Sequence, residues 1–140
     1  MKRINREEYF LKIAEATSKR STCNRAMVGA IAVKDNRIIA TGYNGSPKGW
    51  IHCDDKYHQM VENHCIRTIH AEMNIVCQCA KFGISLEGAT IYTTHSPCYN
   101  CLKHLENIGV KAVHYLFYKK DPDMPNDITF MQIKLIQIKV

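Results

Sequence analysis

The sequence has no apolar run that approaches the ~20 residues needed to cross a bilayer, and it lacks several other features that would assign a chain to a special class. Its N-terminal stretch, MKRINREEYFLKIAEATSKR, mixes charges throughout and lacks the apolar segment of a signal peptide. It has no internal repeat, low-complexity tract or linker. Its 140 residues, 46% of them hydrophobic, suit one domain with a hydrophobic core. We therefore expect a soluble, cytoplasmic protein with a single domain over residues 1–140 and no membrane partner.

The basic residues form no arginine-rich tract and do not alternate with aromatic residues. The net charge of +6 nevertheless favours anionic partners, either nucleic acid or small phosphorylated molecules. Because the basic residues are scattered, the sequence does not support a nucleic-acid groove. A small phosphorylated molecule is the partner that we expect.

The cysteines are seven, an odd number that no complete set of disulfides can use. In a reducing compartment such a count argues against a disulfide framework and for metal ligands together with buried thiols. The cysteines therefore direct attention to metal chemistry.

Hydrophobic periodicity predicts helices that alternate with strands. The tail ITFMQIKLIQIKV is ambiguous and could hold a helix followed by a strand, whereas the unit over 88–118 should be a right-handed parallel crossover. The order indicates a layered α/β domain. The predicted elements are a helix over 6–20, a hairpin of strands 27–34 and 37–43, a helix over 71–82, a strand over 88–94, a helix over 98–108 and a strand over 110–118.

Residues 44–69 form a long, irregular stretch that is rich in histidine and cysteine. A loop of this length inside a small domain is usually functional. We therefore expect part of the functional site to lie there.

Two cysteines three residues apart, Cys98 and Cys101, stand at the predicted start of a helix. This spacing places both thiols on one side of the helix, and the positive end of the helix dipole favours their thiolate forms. His70, at the start of the preceding helix, supplies a third ligand. Three protein ligands leave one tetrahedral position open, as in catalytic zinc sites.

Glu72 lies two residues after His70 and reaches the same cavity if His70 precedes the first helical turn. His-x-Glu followed by Pro-Cys-x-x-Cys is the pattern of zinc-dependent nucleobase deaminases. The alternatives are a structural zinc knuckle, buried thiols or a redox cysteine pair. The redox pair would leave His70 and Glu72 without a role.

At these residues the chain resembles the deoxycytidylate (dCMP) deaminase family of the cytidine deaminase superfamily, in its bacterial or phage type related to late competence operon protein 2. The segments that carry the resemblance are VGAIAVKDNRIIATGYNGSPKGWIHCDD, HCIRTIHAEMN and GATIYTTHSPCYNCLKHLENIGVKAVHY. They cover roughly residues 23–118, and the tail is less similar. The resemblance implies a three-layer α/β/α fold around a mixed sheet of about five strands.

The resemblance also implies roles for individual residues. His70, Cys98 and Cys101 correspond to catalytic zinc ligands and Glu72 to the proton shuttle. The implied reaction is hydrolysis of dCMP to dUMP and ammonia, which supplies dUMP for thymidylate synthesis. The residues expected at the substrate are Asn44, Ser46, Ala71, Asn74, Ser96, Tyr118 and Lys120.

Further properties of the family extend these expectations. Some members carry a second, structural zinc, for which Cys23, Cys53, His64 and Cys65 are the candidates here. Many are activated by dCTP with Mg²⁺ and inhibited by dTTP. The corresponding region of this chain holds Asn24, Arg25 and Gly29. Members are usually oligomeric, commonly hexameric.

Two other functions remain open from the sequence. A polynucleotide deaminase acting on tRNA or single-stranded DNA would share the zinc chemistry, but it would need a basic-aromatic groove. A zinc-stabilised binding module without catalysis would have a closed four-ligand site and no use for Glu72.

Overall fold

A computed structural model describes residues 1–53 and 57–139 of the chain. Residues 54–56, within the predicted functional loop 44–69, lie outside the described residues. None of the helices in the described ranges has the length and apolar character that a membrane span requires. The elements in chain order are α1 (Arg6–Ser18), β1 (Gly29–Lys34), β2 (Arg37–Tyr43), β3 (Met60–Val61), β4 (His64–Cys65), α2 (Ala71–Phe82), β5 (Thr90–His95), α3 (Tyr99–Asn107), β6 (Ala112–Phe117) and β7 (Lys134–Gln137).

The central sheet has five strands in the order β2-β1-β5-β6-β7. Strands β2, β1 and β5 pair antiparallel, whereas β5, β6 and β7 pair parallel. The β1–β2 hairpin turns at Asp35 and Asn36, both with positive φ, as a tight two-residue hairpin requires. The mixed sheet and the parallel pairing of the strands on either side of α3 are as predicted.

Helices cover both faces of the sheet and make three layers. On one face Phe10 and Leu11 of α1 pack with Ile31 of β1. On the other face Ile75 of α2 and Leu102 of α3 pack in a second core cluster. Because side chains alternate along a strand, neighbouring residues of β1 enter different cores. The predicted α/β/α fold is therefore confirmed.

The tail and the long loop differ in detail from the sequence prediction. No helix forms over 121–133, where the chain runs through turns and bends, and only the predicted strand, β7, is present. This short strand adds to the sheet edge by pairing parallel to β6. Within the loop, the two-residue strands β3 and β4 form a small hairpin that no sequence pattern indicated.

Candidate active site

Helices α2 and α3 begin close to each other, and the residues at their starts bring three ligating side chains together. His70 is the N-cap of α2 and has an extended backbone, as predicted, and Cys98 is the N-cap of α3. The Nδ1 atom of His70 lies 3.5 Å from the Sγ atoms of both Cys98 and Cys101. The structure thus assembles the three donors that the sequence separates by as many as 31 residues.

This donor set fits zinc. Two thiols and an imidazole are ligands that zinc prefers. Donor atoms around one tetrahedral zinc stand roughly 3.3–3.8 Å apart, given bonds of about 2.0–2.3 Å. The observed separations of 3.5 Å agree with that spacing. With three protein donors, one coordination position would face the cavity.

The pKa values of Cys98 and Cys101 are shifted in opposite directions. The hydrogen bond from the Cys101 thiol, together with His70 and the Cys101 backbone N–H, lowers the pKa of Cys98 to about 4. The same hydrogen bond, together with burial, raises the pKa of Cys101. The His70 pKa is raised, mainly by its hydrogen bond to Cys98. The cluster therefore favours the thiolate form of Cys98, and a metal would displace the proton of the Cys101 thiol.

Glu72 is the one buried carboxylate among the described residues at this site. Its side chain is 4% exposed, and it accepts a hydrogen bond from the Thr93 hydroxyl on β5 at 3.4 Å. Burial raises the Glu72 pKa, although the nearby His70 opposes that effect. A carboxyl group with a raised pKa beside a metal-type cluster suits proton transfer near neutral pH.

A cavity of about 370 Å³ opens above these groups. His70, Glu72 and Cys98 line it, but Cys101 does not. Exposed basic residues also line it, from Arg25 on one side to Lys119 and Lys120 on the other. The cavity therefore combines a buried chemical centre with basic lining residues that suit an anionic small molecule.

The predicted substrate residues divide into two groups. Asn44, Ala71, Ser96 and Lys120 line the cavity. Ser46, Asn74 and Tyr118 are not among its lining residues.

Three of these side chains have structural partners, and one of them is Asn74, which donates to the Tyr43 carbonyl at 2.6 Å. Asn44 accepts from the Val28 N–H at 2.8 Å and donates to the Ala26 carbonyl, which fastens the segment after α1 to the end of β2. Ser96 accepts from the Lys119 N–H at 2.7 Å and so holds the loop after β6.

A second group of metal-type side chains lies beside the cavity: Cys23, Cys53, His58 and Cys65, hereafter the four-donor cluster. Three of the residues predicted for a second zinc belong to it, but its imidazole is His58 and not His64, which lines the cavity instead. The Cys53 and Cys65 Sγ atoms are 3.5 Å apart.

Burial and neighbouring thiols affect the thiols of the four-donor cluster differently. Burial, with the hydrogen bonds that the Cys53 thiol donates to Cys65 and Cys23, raises the pKa of Cys53 to about 12. Burial also acts to raise the pKa of Cys65, but hydrogen bonds at the Arg67 and Gln59 backbone outweigh it and lower the pKa to about 6. As at the cluster of His70, Cys98 and Cys101, metal binding would require deprotonation of the thiols that are still protonated.

The three residues predicted for effector binding have different surroundings. Arg25 lines the cavity, and its guanidinium contacts the Met60 sulfur at 2.7 Å. Asn24 contacts His58. Gly29 is buried where α1 crosses β1, and a Cβ atom there would lie 2.2 Å from the Ala14 carbonyl oxygen.

Sequence reasoning missed three residues at the site: His58, Lys119 and Asp121. His58 has no regular spacing to its partners, so no local signal identified it. Asp121 follows a strand that is parallel to the strand preceding Cys98, and this adjacency could have indicated it. Its carboxylate accepts from the Tyr99 N–H at 2.7 Å, immediately after Cys98.

A three-layer α/β/α domain with a histidine and two cysteines at two helix starts, next to a buried glutamate, has the arrangement of the zinc-dependent nucleobase deaminases. Comparison with known proteins gives the family. The cytidine and deoxycytidylate deaminase zinc-binding region matches residues 4–117. The chain therefore belongs to the cytidine and deoxycytidylate deaminase family.

Named relatives agree with this assignment. ComE operon protein 2 of Bacillus subtilis (strain 168) is 49% identical over 123 residues, which are 87% of this chain and 65% of that protein. The deoxycytidylate deaminase of Mycobacterium phage D29 is 37% identical over 82% of this chain and 97% of its own length. The predicted resemblance is confirmed, and so is the prediction that the chain is a deaminase.

Among solved structures, the dCMP deaminase of cyanophage S-TIM5 in complex with dCMP and dUMP superimposes with a TM-score of 0.84. It is 30% identical, and the match covers 99% of this chain and 100% of that one. The similarity extends over the whole fold, including the tail.

Proposed function

We propose that the protein hydrolyses dCMP to dUMP and ammonia. The observation that carries the proposal is the three-donor cluster of His70, Cys98 and Cys101 beside the buried Glu72, in a cavity with basic lining residues. The cyanophage structure that superimposes on the whole chain contains dCMP and dUMP. The basic lining residues favour a phosphorylated nucleoside over an uncharged one.

The reaction follows from the positions of the protein groups. His70, Cys98 and Cys101 would hold zinc, which acts as a Lewis acid and makes water acidic enough to become a nucleophile near neutral pH. Glu72 takes a proton from the attacking water and delivers it to N3 of the cytosine ring while the oxygen bonds to C4. Glu72 then carries the second proton to the departing amine, so that the C4–N bond breaks and ammonia leaves.

Residues around the cavity would hold the nucleotide. Asn44 and Ser96 would contact the sugar and base, and the Ala71 backbone at the start of α2 would lie beside the reacting ring. Lys120, with Lys119, would attract the 5′-phosphate. Ser46, Asn74 and Tyr118 do not line the cavity. They would contribute by shaping the segments that carry the lining residues.

The four-donor cluster would hold a second, structural zinc. Four protein donors close a tetrahedral site, whereas the first cluster has three. Cys23 and Cys65 also line the cavity, so this zinc would fix one of the cavity walls.

Regulation and assembly complete the proposal. dCTP with Mg²⁺ would activate the enzyme and dTTP would inhibit it, through the region of Asn24, Arg25 and Gly29. A homo-oligomer, such as a hexamer, would supply neighbours for exposed apolar side chains, among them Trp50 and Phe130. The product dUMP would supply thymidylate synthesis.

Two alternatives compete with this function. A polynucleotide deaminase would use the same cluster, and a zinc-binding module would need neither Glu72 nor an open coordination position. The depth of Glu72 in the cavity argues against the module, and a cavity of about 370 Å³ suits a small molecule better than a strand.

A substrate panel tests the proposal. Ammonia release would be measured with dCMP, CMP, dCTP, deoxycytidine and a single-stranded oligonucleotide, each with and without dCTP and Mg²⁺. We expect dCMP to be the best substrate and dCTP to increase its turnover. Deamination of the oligonucleotide without deamination of dCMP would overturn the proposed substrate, and insensitivity to dCTP would remove the proposed regulation.

A further inference from the structure

The four-donor cluster joins two distant segments of the chain. Cys23 lies in the segment after α1, and its partners lie in the loop between β2 and α2. The link between the segments includes His58, whose Nδ1 atom lies 3.5 Å from the Cys23 Sγ atom. The way in which the His58 imidazole is held matters if the cluster binds the proposed second zinc.

The other nitrogen of the same ring has a partner on the same segment as Cys23. The Nε2 atom of His58 lies 3.0 Å from the Oδ1 atom of Asn24. A carbonyl oxygen can only accept, so Nε2 must carry the proton that the bond requires. In a neutral imidazole the lone pair is then on Nδ1, the atom that faces the thiol. The ring is therefore set, in both tautomer and direction, for ligation through Nδ1.

The alternative imidazole, His64, lies differently. It is exposed on β4, directly before Cys65. Successive side chains of a strand point to opposite sides, so His64 points away from the side on which Cys65 meets the cluster. Geometry therefore favours His58 as the fourth donor.

We propose that Asn24 is the outer partner of His58: by accepting the Nε2 proton it fixes the ring for metal binding through Nδ1. Partners of this kind commonly contribute 10- to 100-fold to metal affinity. Asn24 is thus a positioning residue for the second metal. Its side chain is exposed, so replacing it leaves the hydrophobic core intact.

The test measures metal affinity, independently of activity. Wild type, Asn24→Leu, Asn24→Asp and the control Gln59→Leu would be loaded with Co²⁺ and titrated with a chelator while thiolate-to-cobalt absorption is followed. Gln59 is an exposed amide in the loop that carries His58. Its replacement therefore matches the amide-to-leucine change of Asn24→Leu. We expect Asn24→Leu to weaken the second metal about 10- to 100-fold, whereas Asn24→Asp, which keeps an oxygen acceptor, and Gln59→Leu stay close to wild type.

Several outcomes would overturn the proposal. They are an unchanged affinity in Asn24→Leu, an equal loss in Gln59→Leu, retention of the second metal in His58→Asn, or a wild-type protein that binds only one metal. None of these depends on turnover. A protein that binds two metals and weakens as expected, but does not convert dCMP, would retain this inference and lose the proposed function.

Discussion

At the scale of single residues, the site depends on a carboxyl group that burial keeps less acidic than usual. Glu72 lies in the first turn of α2, and the Thr93 hydroxyl on β5 contacts it. Helix and sheet thus fix the carboxyl group from two sides. Glu72 lines the cavity together with His70 and Cys98, which is the position that the proposed proton transfer requires.

The first prediction concerns Glu72→Gln. The amide keeps the shape but cannot carry a proton, so we expect zinc content to stay at the wild-type level while dCMP turnover falls about 10²- to 10⁴-fold. Steady-state kinetics and metal analysis measure the two quantities. Glu87→Gln, an exposed change, serves as the control. Turnover within tenfold of wild type would remove the proposed role of Glu72.

The second prediction concerns His114, whose ring meets the Tyr92 ring edge-to-face with centroids 4.9 Å apart. Burial lowers the pKa of His114, although Glu7 opposes this effect. The unfolded chain, with an imidazole pKa near ~6.5, therefore takes up a proton that the folded chain does not. The free energy of unfolding should fall as pH drops below about 6.5.

His114→Asn should remove part of this acid sensitivity. Denaturant unfolding of both proteins at about pH 7.5 and about pH 5.5 measures it, and the variant should gain stability relative to wild type at the lower pH. Metal loss in acid affects both proteins equally and cancels in the comparison. A difference that does not change with pH would contradict the prediction.

The sequence predicted the chemical residues better than their surroundings. His70, Glu72, Cys98 and Cys101 follow a local spacing that reflects the start of a helix, and the structure brings all four together. His58 reaches Cys23 across 35 positions, a contact that only the folded loop creates. Long-range contacts of this kind leave no periodic pattern in the chain.

At the scale of elements, the start of α3 holds much of the site. Cys98 is the N-cap and accepts from the Cys101 N–H through its sulfur at 3.5 Å. The Tyr99 N–H is bound instead by Asp121, from the loop after β6. That loop also carries Lys119 and Lys120 over the cavity. Asp121 thus links the start of α3 to the loop that carries the basic lining residues Lys119 and Lys120.

The third prediction follows from this cap. Asp121→Ala should lower the free energy of unfolding by about 1 kcal/mol, as expected for loss of a helix N-terminal acceptor, and should raise KM for dCMP. Denaturant unfolding and kinetics measure the two effects. Asp123→Ala, an exposed change two residues later, is the control and should alter neither. Equal effects of the two variants would contradict the role of Asp121.

Elements with strong periodicity were predictable, and the very short strands of the long loop were not. The helix over 71–82 has its predicted limits because Gly83, with φ of 67°, ends it in a left-handed conformation. The β3–β4 hairpin is two residues long on each side, too short for a period to be seen. No helix forms over 121–133, and Met124, Met131 and Ile133 pack onto the core from turns and bends instead.

At the scale of the whole molecule, the described residues form two metal-type clusters of different composition, for which we propose two purposes. The fourth prediction is therefore that the purified protein holds about two zinc ions per chain and that Cys53→Ser holds about one. Cys53 belongs to the four-donor cluster but does not line the cavity, whereas Cys23 and Cys65 do, so dCMP turnover should fall in this variant but by less than in Glu72→Gln. Metal analysis by mass spectrometry measures the content, and a wild-type content of one zinc would reject the second site.

The central claim is that the protein catalyses one reaction, in which water replaces the amine at C4 of the cytosine ring. The direct test is conversion of dCMP by the zinc-loaded protein in oxygen-18 water, followed by mass spectrometry of the nucleotide. We predict dUMP with a single oxygen-18 atom at C4, one ammonia per dUMP, and conversion about 10²- to 10⁴-fold slower by Glu72→Gln. Unchanged dCMP, or dUMP without the solvent label, would contradict the account.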